Sequence, residues 1–156
     1  LYRELANRLG IEQGERAEAW IVRDTVLALR RTKGMVLDPE DHDSWSAGSF
    51  FTNPILSSQA AELLPAEAPR FPTADGRVKT SAAWLIDHAG FPKGYSIPGA
   101  REDGAALSGK HVLALTNRGQ ASAAEVVELA LRVREEVEER FGVHLVPEPL
   151  ALGITW

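Results

Sequence analysis

A chain of 156 residues suits one domain with an independent core, since a chain of this size buries about two-thirds of its unfolded surface. Its 44% hydrophobic and 25% charged content is that of an ordinary soluble globular protein, with no apolar run near the roughly 18 residues of a membrane span; the absence of cysteine excludes disulfides, iron–sulfur clusters and thiolate zinc sites. A net charge of −5 leaves no broad basic face for nucleic acid, so an anionic ligand would need local lysines, and a reducing compartment, the cytoplasm, is expected.

The chain starts at Leu1 with helix-like sequence, lacks an initiator methionine or a leader, and reads as cut from something longer. Tyr2, Leu5, Ala6 and Leu9 fall at i, i+3, i+4 and i+7, which predicts a short amphipathic helix over residues 2–9 stopped by Gly10. Ala19, Val22, Val26 and Leu29 keep a helical period over 16–31, with Arg30 and Arg31 at the negative end of the dipole and Lys33 and Gly34 ending the helix. Dipole compensation explains such a basic cluster, so a ligand role for Lys33 needs separate support. Residues 38–46 are acidic and turn-prone and read as an exposed loop.

Residues 45–54 (Trp-Ser-Ala-Gly-Ser-Phe-Phe-Thr-Asn-Pro) combine small residues, two aromatics, a hydroxyl and an amide. Gly48 permits a close backbone approach before Ser49, and Pro54 closes the run by removing a ladder donor. If the run is extended, Phe50 and Phe51 point to opposite faces, while Ser49 and Asn53 share one. This suits a site better than a core. Spacing alone favours the plainer reading, that Ser49 and Asn53 satisfy backbone groups near a turn, so a site role needs support from outside the spacing.

Two helical turns are expected over 57–64, after which Pro65, Pro69 and Pro72 enforce extended or turn structure. Asp75-Gly76 marks a tight turn of the hairpin kind, leading through Lys79 to a helix capped by Thr80 or Ser81. Ala82, Leu85, Ile86 and Ala89 line one face of that helix, and Gly90 and Pro92 end it. Residues 93–110 are glycine-rich and read as a loop without a dinucleotide or phosphate-loop fingerprint. A strand is expected over 111–115, ended by Asn117 and Gly119. The strongest helix signal spans 122–141: Ser122 and Glu125 form a capping box, Val126, Ala130, Val133, Val137 and Phe141 make an apolar stripe, and Gly142 stops it. Glu128 with Arg132 and Glu136 with Arg140 are spaced as i,i+4 pairs. Residues 143–146 alternate like a half-buried strand, and Glu148 is held on a stiff backbone between two prolines, where an exposed turn residue is the ordinary reading.

This order lacks regular βα alternation and predicts an α+β fold: a small mixed or antiparallel sheet packed with helices, one of them long and in the C-terminal half. The histidines at 42, 88, 111 and 144 have no metal-ligand spacing, so no metal site is expected.

Ala47-Gly48-Ser49-Phe50-Phe51-Thr52-Asn53-Pro54, then Lys79 leading to Ala83-Trp84-Leu85-Ile86-Asp87, then Leu115-Thr116-Asn117, and finally Pro147-Glu148-Pro149 resemble, in this order, the UDP-N-acetylenolpyruvoylglucosamine reductases, the MurB flavoenzymes of peptidoglycan precursor synthesis. The Ala-Gly-Ser-Phe-Phe-x-Asn-Pro run is the specific motif. The resemblance covers nearly the whole chain but only the C-terminal part of the family's length. It implies a C-terminal substrate-binding domain over 1–156, with a helical lead-in at 1–36, a core at 37–142, closing strands at 143–156, and no N-terminal FAD-binding domain.

In such an enzyme NADPH reduces bound FAD, and hydride passes to the enolpyruvyl ether of UDP-N-acetylglucosamine to give UDP-N-acetylmuramate. Ser49 matches the family's proton donor, and Glu148 matches a second catalytic residue that stabilises or positions the enolic carboxylate. An arginine sharing that work is expected outside this chain. Lys33, Asn53 and Lys79 match positions that contact the nucleotide sugar. Phe71 stands where some members have tyrosine and His111 where some have glutamine, so hydrogen bonds made there are altered. The implied partners are the enolpyruvyl UDP-sugar, NADPH and the flavin domain of the same protein, without which the chain alone is inactive. A free-standing, non-catalytic UDP-sugar-binding module is the competing reading, and retention of both Ser49 and Glu148 favours the reductase.

Overall fold

The computed structural model describes residues 3–12 and 14–154. Tyr2, expected in the first helix, lies outside the described residues. The chain opens with α1 (Arg3–Leu9), stopped by Gly10 at a φ of 66°, and α2 (Ala19–Arg31), which starts later than residue 16 because Glu18 is extended and caps nothing with its side chain. The two helices pack on each other and bury no residue fully, and Trp20 is 65% exposed.

The acidic segment after them is not a free loop. A 3-10 turn at His42–Ser44 is capped by Asp41, and Ser44 Oγ accepts from Asp38 N and donates to the Asp41 carbonyl at 2.7 Å. The Asp43 carboxylate accepts from Gly109 N at 2.7 Å and pairs with Arg118 at 3.0 Å, while Lys110 pairs with Asp41. Those partners stand more than sixty residues away, so no local pattern reveals them. Gly34 lies beneath with a φ of 67°, where an added Cβ would come within 2.5 Å of the Asp43 carbonyl oxygen.

A three-stranded antiparallel sheet follows, in the order β1 (Ile55–Leu56), β3 (Val78–Lys79), β2 (Phe71–Pro72). The Asp75-Gly76 hairpin forms as expected, with Thr73 N donating to Arg77 O at 2.9 Å. Between β1 and β2 lies α3 (Ser58–Glu62), capped by Ser57. Arg70 turns back on its end and donates to the carbonyls of Ala61, Leu64, Pro65, Ala66 and Ala68. One guanidinium thus gathers the oxygens of a helix end and a proline-containing loop, two of which, Ala61 O and Pro65 O, also accept from Leu64 N and Ala68 N. Next comes α4 (Ala82–His88), capped by Ser81 and burying Ala82, Leu85 and Ile86 on the expected face.

The second sheet pairs β4 (Ala105–Leu107) with β5 (Leu115–Asn117), antiparallel, Ala106 opposite Thr116. Two expectations fail here. The glycine-rich segment contains β4, whose Ala-Ala-Leu is buried at every position and so shows neither alternation nor β-branched residues. The strand expected over 111–115 begins only at Leu115, and Asn117 lies inside it. Ser108 Oγ accepts from Lys110 N and His111 N, and Ala114 N returns to His111 O, which bends 108–114 into a turn. Over this sheet runs α5 (Ala123–Phe141), with its capping box formed and Leu129, Ala130, Val133 and Val137 buried. Gly142 ends it at a φ of 64°. On its outer face Arg132 pairs with Glu136 at 3.6 Å rather than with Glu128.

Val143 and Leu145 are buried and Val146 is 55% exposed, as the alternation predicts, but no ladder forms. Phe51 and Pro147 make a single antiparallel bridge, flanked by Thr52 N to Val146 O at 3.0 Å and Glu148 N to Phe50 O at 2.8 Å. Pro147 has no N–H with which to extend it. Residues 45–54 are likewise bridged only at Ser46 and Phe51, so they form no regular strand. Phe50 and Phe51 are 5% and 2% exposed and meet edge to face at 5.1 Å rather than pointing apart. The stretch is core as much as site, and the alternation that set Ser49 and Asn53 on one side does not apply.

Urea unfolding followed at the four tryptophans is expected to be cooperative for this chain alone. Leu145→Ala, at a site with 0% exposure, should lower stability by about 2–5 kcal/mol. Arg70→Lys should cost about 1–3 kcal/mol, because an ammonium cannot reach the same set of carbonyls. A broad transition without a midpoint would show that another domain holds this one folded.

Candidate functional site

Ser49 sits between Gly48, at a φ of 84° with open space around it, and Phe50, whose N–H is bonded to Leu113 O at 2.8 Å. The Phe50 carbonyl accepts from Glu148 N, also at 2.8 Å. Residues 49 and 148 are therefore brought together although they lie at opposite ends of the folded region. Ser49 is half-buried, and its hydroxyl has no hydrogen-bond partner among the described residues. Glu148 is exposed, and its carboxylate likewise has no partner there. Its flanking prolines limit how far the backbone beneath it can move.

Asn53, Lys79 and Phe71 form a second group. Lys79 faces Ile55 on one side of its strand and Phe71 on the other, so the lysine crosses an exposed row between two apolar side chains; Phe71 is 56% exposed. A lysine stem lies well against such neighbours while its ammonium stays in water. Asn53 precedes this sheet, and its Oδ1 accepts from Ala82 N at 2.9 Å while Thr80 N donates to Pro54 O at 2.9 Å. The two bonds fix Asn53 and Pro54 against residues 80–82, which follow Lys79. Asn53 thus satisfies a backbone group, the plainer of its two roles by sequence, yet its amide nitrogen is left without a partner.

Lys33 and His111 form a third group. Lys33 reaches Glu4 at 3.4 Å and is exposed. Burial first, and then the charges of Lys33 and Lys93, hold the His111 imidazole below its ordinary range, so the ring is biased to the neutral form. His111 shares its turn with Leu113, which holds Phe50, and that is its link to Ser49. Lys93 was not singled out by sequence; a single basic residue in a glycine-rich segment has no pattern that would distinguish it.

Taken together, these groups offer a hydroxyl and a carboxylate on paired segments, a lysine and an amide donor at the three-stranded sheet, and a lysine whose charge acts on the His111 imidazole. Such a set suits a phosphorylated, carboxylate-bearing ligand: lysines supply point charge, an amide supplies direction, and a hydroxyl can give a proton. In the glycine-rich segment the N–H groups of Gly94, Gly104 and Gly109 are bonded to Ser108 O, Arg101 O and Asp43 Oδ1, so these three are taken up within the chain. Among the described residues no group of three or more His, Cys, Asp or Glu is placed to hold a metal ion, and no helix is long and apolar enough to cross a membrane.

Residues 38–152 match the family described as UDP-N-acetylenolpyruvoylglucosamine reductase, C-terminal domain. The chain is 57% identical over 154 residues to the UDP-N-acetylenolpyruvoylglucosamine reductase of Cutibacterium acnes, covering 99% of this chain and 40% of that protein. The enzymes of the same name from Streptomyces coelicolor and Nocardia farcinica are each 55% identical, over 163 and 162 residues, covering 98% of this chain and 41% of each relative. The chain spans about two-fifths of the length of these relatives. With the match running through the core and both sheets, and the identity extending to the opening helices, this chain belongs to the UDP-N-acetylenolpyruvoylglucosamine reductase family and carries its C-terminal domain.

Proposed function

We propose that this chain supplies the substrate side of a cytoplasmic reductase that converts UDP-N-acetylglucosamine enolpyruvate to UDP-N-acetylmuramate in peptidoglycan precursor synthesis. NADPH is the reductant, and FAD, seated outside this chain, supplies the hydride. The observation that supports the proposal is the bond from Glu148 N to Phe50 O, which brings the backbone at Glu148 against the residue that follows Ser49, whose hydroxyl has no partner among the described residues. Reduction of the enolpyruvyl double bond adds hydride to the methylene carbon and leaves enolate-like charge on its neighbour. Ser49 Oγ–H gives its proton to that neighbour and recovers one from water; so basic a centre needs only a weak acid. Glu148 positions the carboxylate end of the enolic group. Lys79, Asn53 and Lys33 hold the nucleotide sugar by its charge, with Phe71 and His111 at its edges.

A non-catalytic UDP-sugar module would need the lysines and the amide but not the hydroxyl. The freedom of Ser49 Oγ, in a chain where Ser44, Ser57, Ser81, Ser108 and Ser122 all bond to backbone, favours the reductase.

In a full-length reductase carrying this segment, Ser49→Ala should lower turnover by about 100- to 10,000-fold with little change in KM, while reduction of the enzyme by NADPH, which involves no sugar substrate, keeps its rate. Near-normal turnover, or equal loss in both half-reactions, would refute proton donation. Lys79→Ala should raise KM with a smaller effect on kcat. The chain by itself should purify without flavin absorbance near roughly 450 nm, and stoichiometric flavin in it would overturn the assignment of FAD to the rest of the protein.

A further inference from the structure

The Asn53 side chain performs two tasks at once, and its geometry separates them by atom. Its Oδ1 accepts from Ala82 N, the first N–H of α4, at 2.9 Å. A backbone N–H can be met only by the carbonyl end of the amide, so this bond fixes which end of Asn53 points away. The end that remains is Nδ2, a pure donor, and it has no partner among the described residues. Asn53 is exposed, and Thr80 N to Pro54 O and Thr80 Oγ1 to Pro69 O at 2.8 Å keep the surrounding backbone from turning.

The geometry points to Ala82 N–H as a positioning group: it holds Asn53 as a donor-only ligand for an anionic oxygen, at the start of the sheet that carries Lys79, and so makes this position discriminate amide from carboxylate. The inference rests on the proposed nucleotide-sugar site and adds to it the reason that asparagine, rather than the near-isosteric aspartate, serves there. Aspartate would serve α4 at least as well, because a carboxylate accepts the same N–H and is favoured at the positive end of a helix. Its second oxygen, however, would stand where Nδ2 stands and repel the diphosphate.

The two tasks are therefore separable in a full-length reductase carrying this segment. Asn53→Asp is expected to melt at or above the wild-type temperature, yet to raise KM for the enolpyruvyl UDP-sugar by at least about tenfold at nearly unchanged kcat, the loss of one charge-assisted hydrogen bond being made worse by repulsion. Asn53→Ala should lose both, with a lower melting temperature and a raised KM. An Asn53→Asp enzyme with wild-type KM would show that Asn53 only braces α4. An Asn53→Asp enzyme as unstable as Asn53→Ala would show that the Ala82 bond does not hold the side chain. Lys79→Ala separates this from the wider reading: if it raises KM while Asn53→Asp does not, the inference alone falls, and if neither changes KM, the substrate site on this sheet falls as well.

Discussion

The pairing of residues 50–52 with 146–148 is the constraint on which this domain depends. It consists of one bridge, Phe51 to Pro147, and two flanking hydrogen bonds, yet it ties the segment after the long helix to the segment before the first sheet. Nearly a hundred residues of chain close on it, and the loop-closure entropy is offset by what it buries: Phe50, Phe51, Val143 and Leu145 are each at most 5% exposed. The bridge is short because proline stands on both sides of it, Pro54 after one segment and Pro147 in the other. A longer ladder would draw residue 148 into a strand. Termination at Pro147 leaves the Glu148 side chain outside, with its backbone fixed.

The same economy appears in the clasp around Asp43. Its carboxylate takes Gly109 N and Arg118 and is 14% exposed, so a charge is held largely out of water by two donors rather than one. The clasp draws the 3-10 turn against β5 and places Trp45 O to accept from Asn117 N at 3.0 Å. The Ser46 bridge to Thr116 follows directly, so the stretch that ends in Ser49 is anchored at its start by the second sheet and at its end by the 146–148 segment. Gly48 lies between the two anchors, at a φ only glycine adopts without strain, and turns the chain so that Ser49 emerges half-buried before the buried Phe50.

Elements whose signals are local were legible in the sequence. For α4 and α5 the cap, the apolar stripe and the terminating glycine all agree and lie within one helix, and the structure places their ends within a residue of expectation. The Asp75-Gly76 hairpin is of the same kind. Elements whose cause is distant were not. The β4 strand has no pattern of its own, because Ala-Ala-Leu is buried by α5 on one face and the rest of the fold on the other; the onset of β5 is delayed by one hydroxyl, Ser108 Oγ; and the acidic loop is ordered by Lys110, Arg118 and Gly109. The motif around Ser49 named the residues of the candidate site. Their juxtaposition was not readable, since a run that buries two consecutive phenylalanines breaks the period-2 rule by which their sides would be assigned.

Placement of charge makes the last connection between fold and site. The chain carries a net −5, yet the positions assigned to the nucleotide sugar are basic or neutral. Three acidic side chains are taken up by partners: Asp75 is held well below its usual range by Arg77 and then Thr73, Asp41 by Lys110, and Glu4 pairs with Lys33. Lys79 has no such partner among the described residues. The three-stranded sheet therefore carries an ammonium and the Nδ2 of Asn53 that have no partners among the described residues, and local pairing as well as total charge shapes the field there. The Glu148 carboxylate, which also has no partner among the described residues, lies on the segment paired with residues 50–52 rather than on that sheet. Under the proposed function this placement suits a ligand with its diphosphate at one end and its reacting carbon at the other, since a carboxylate next to the diphosphate would repel it.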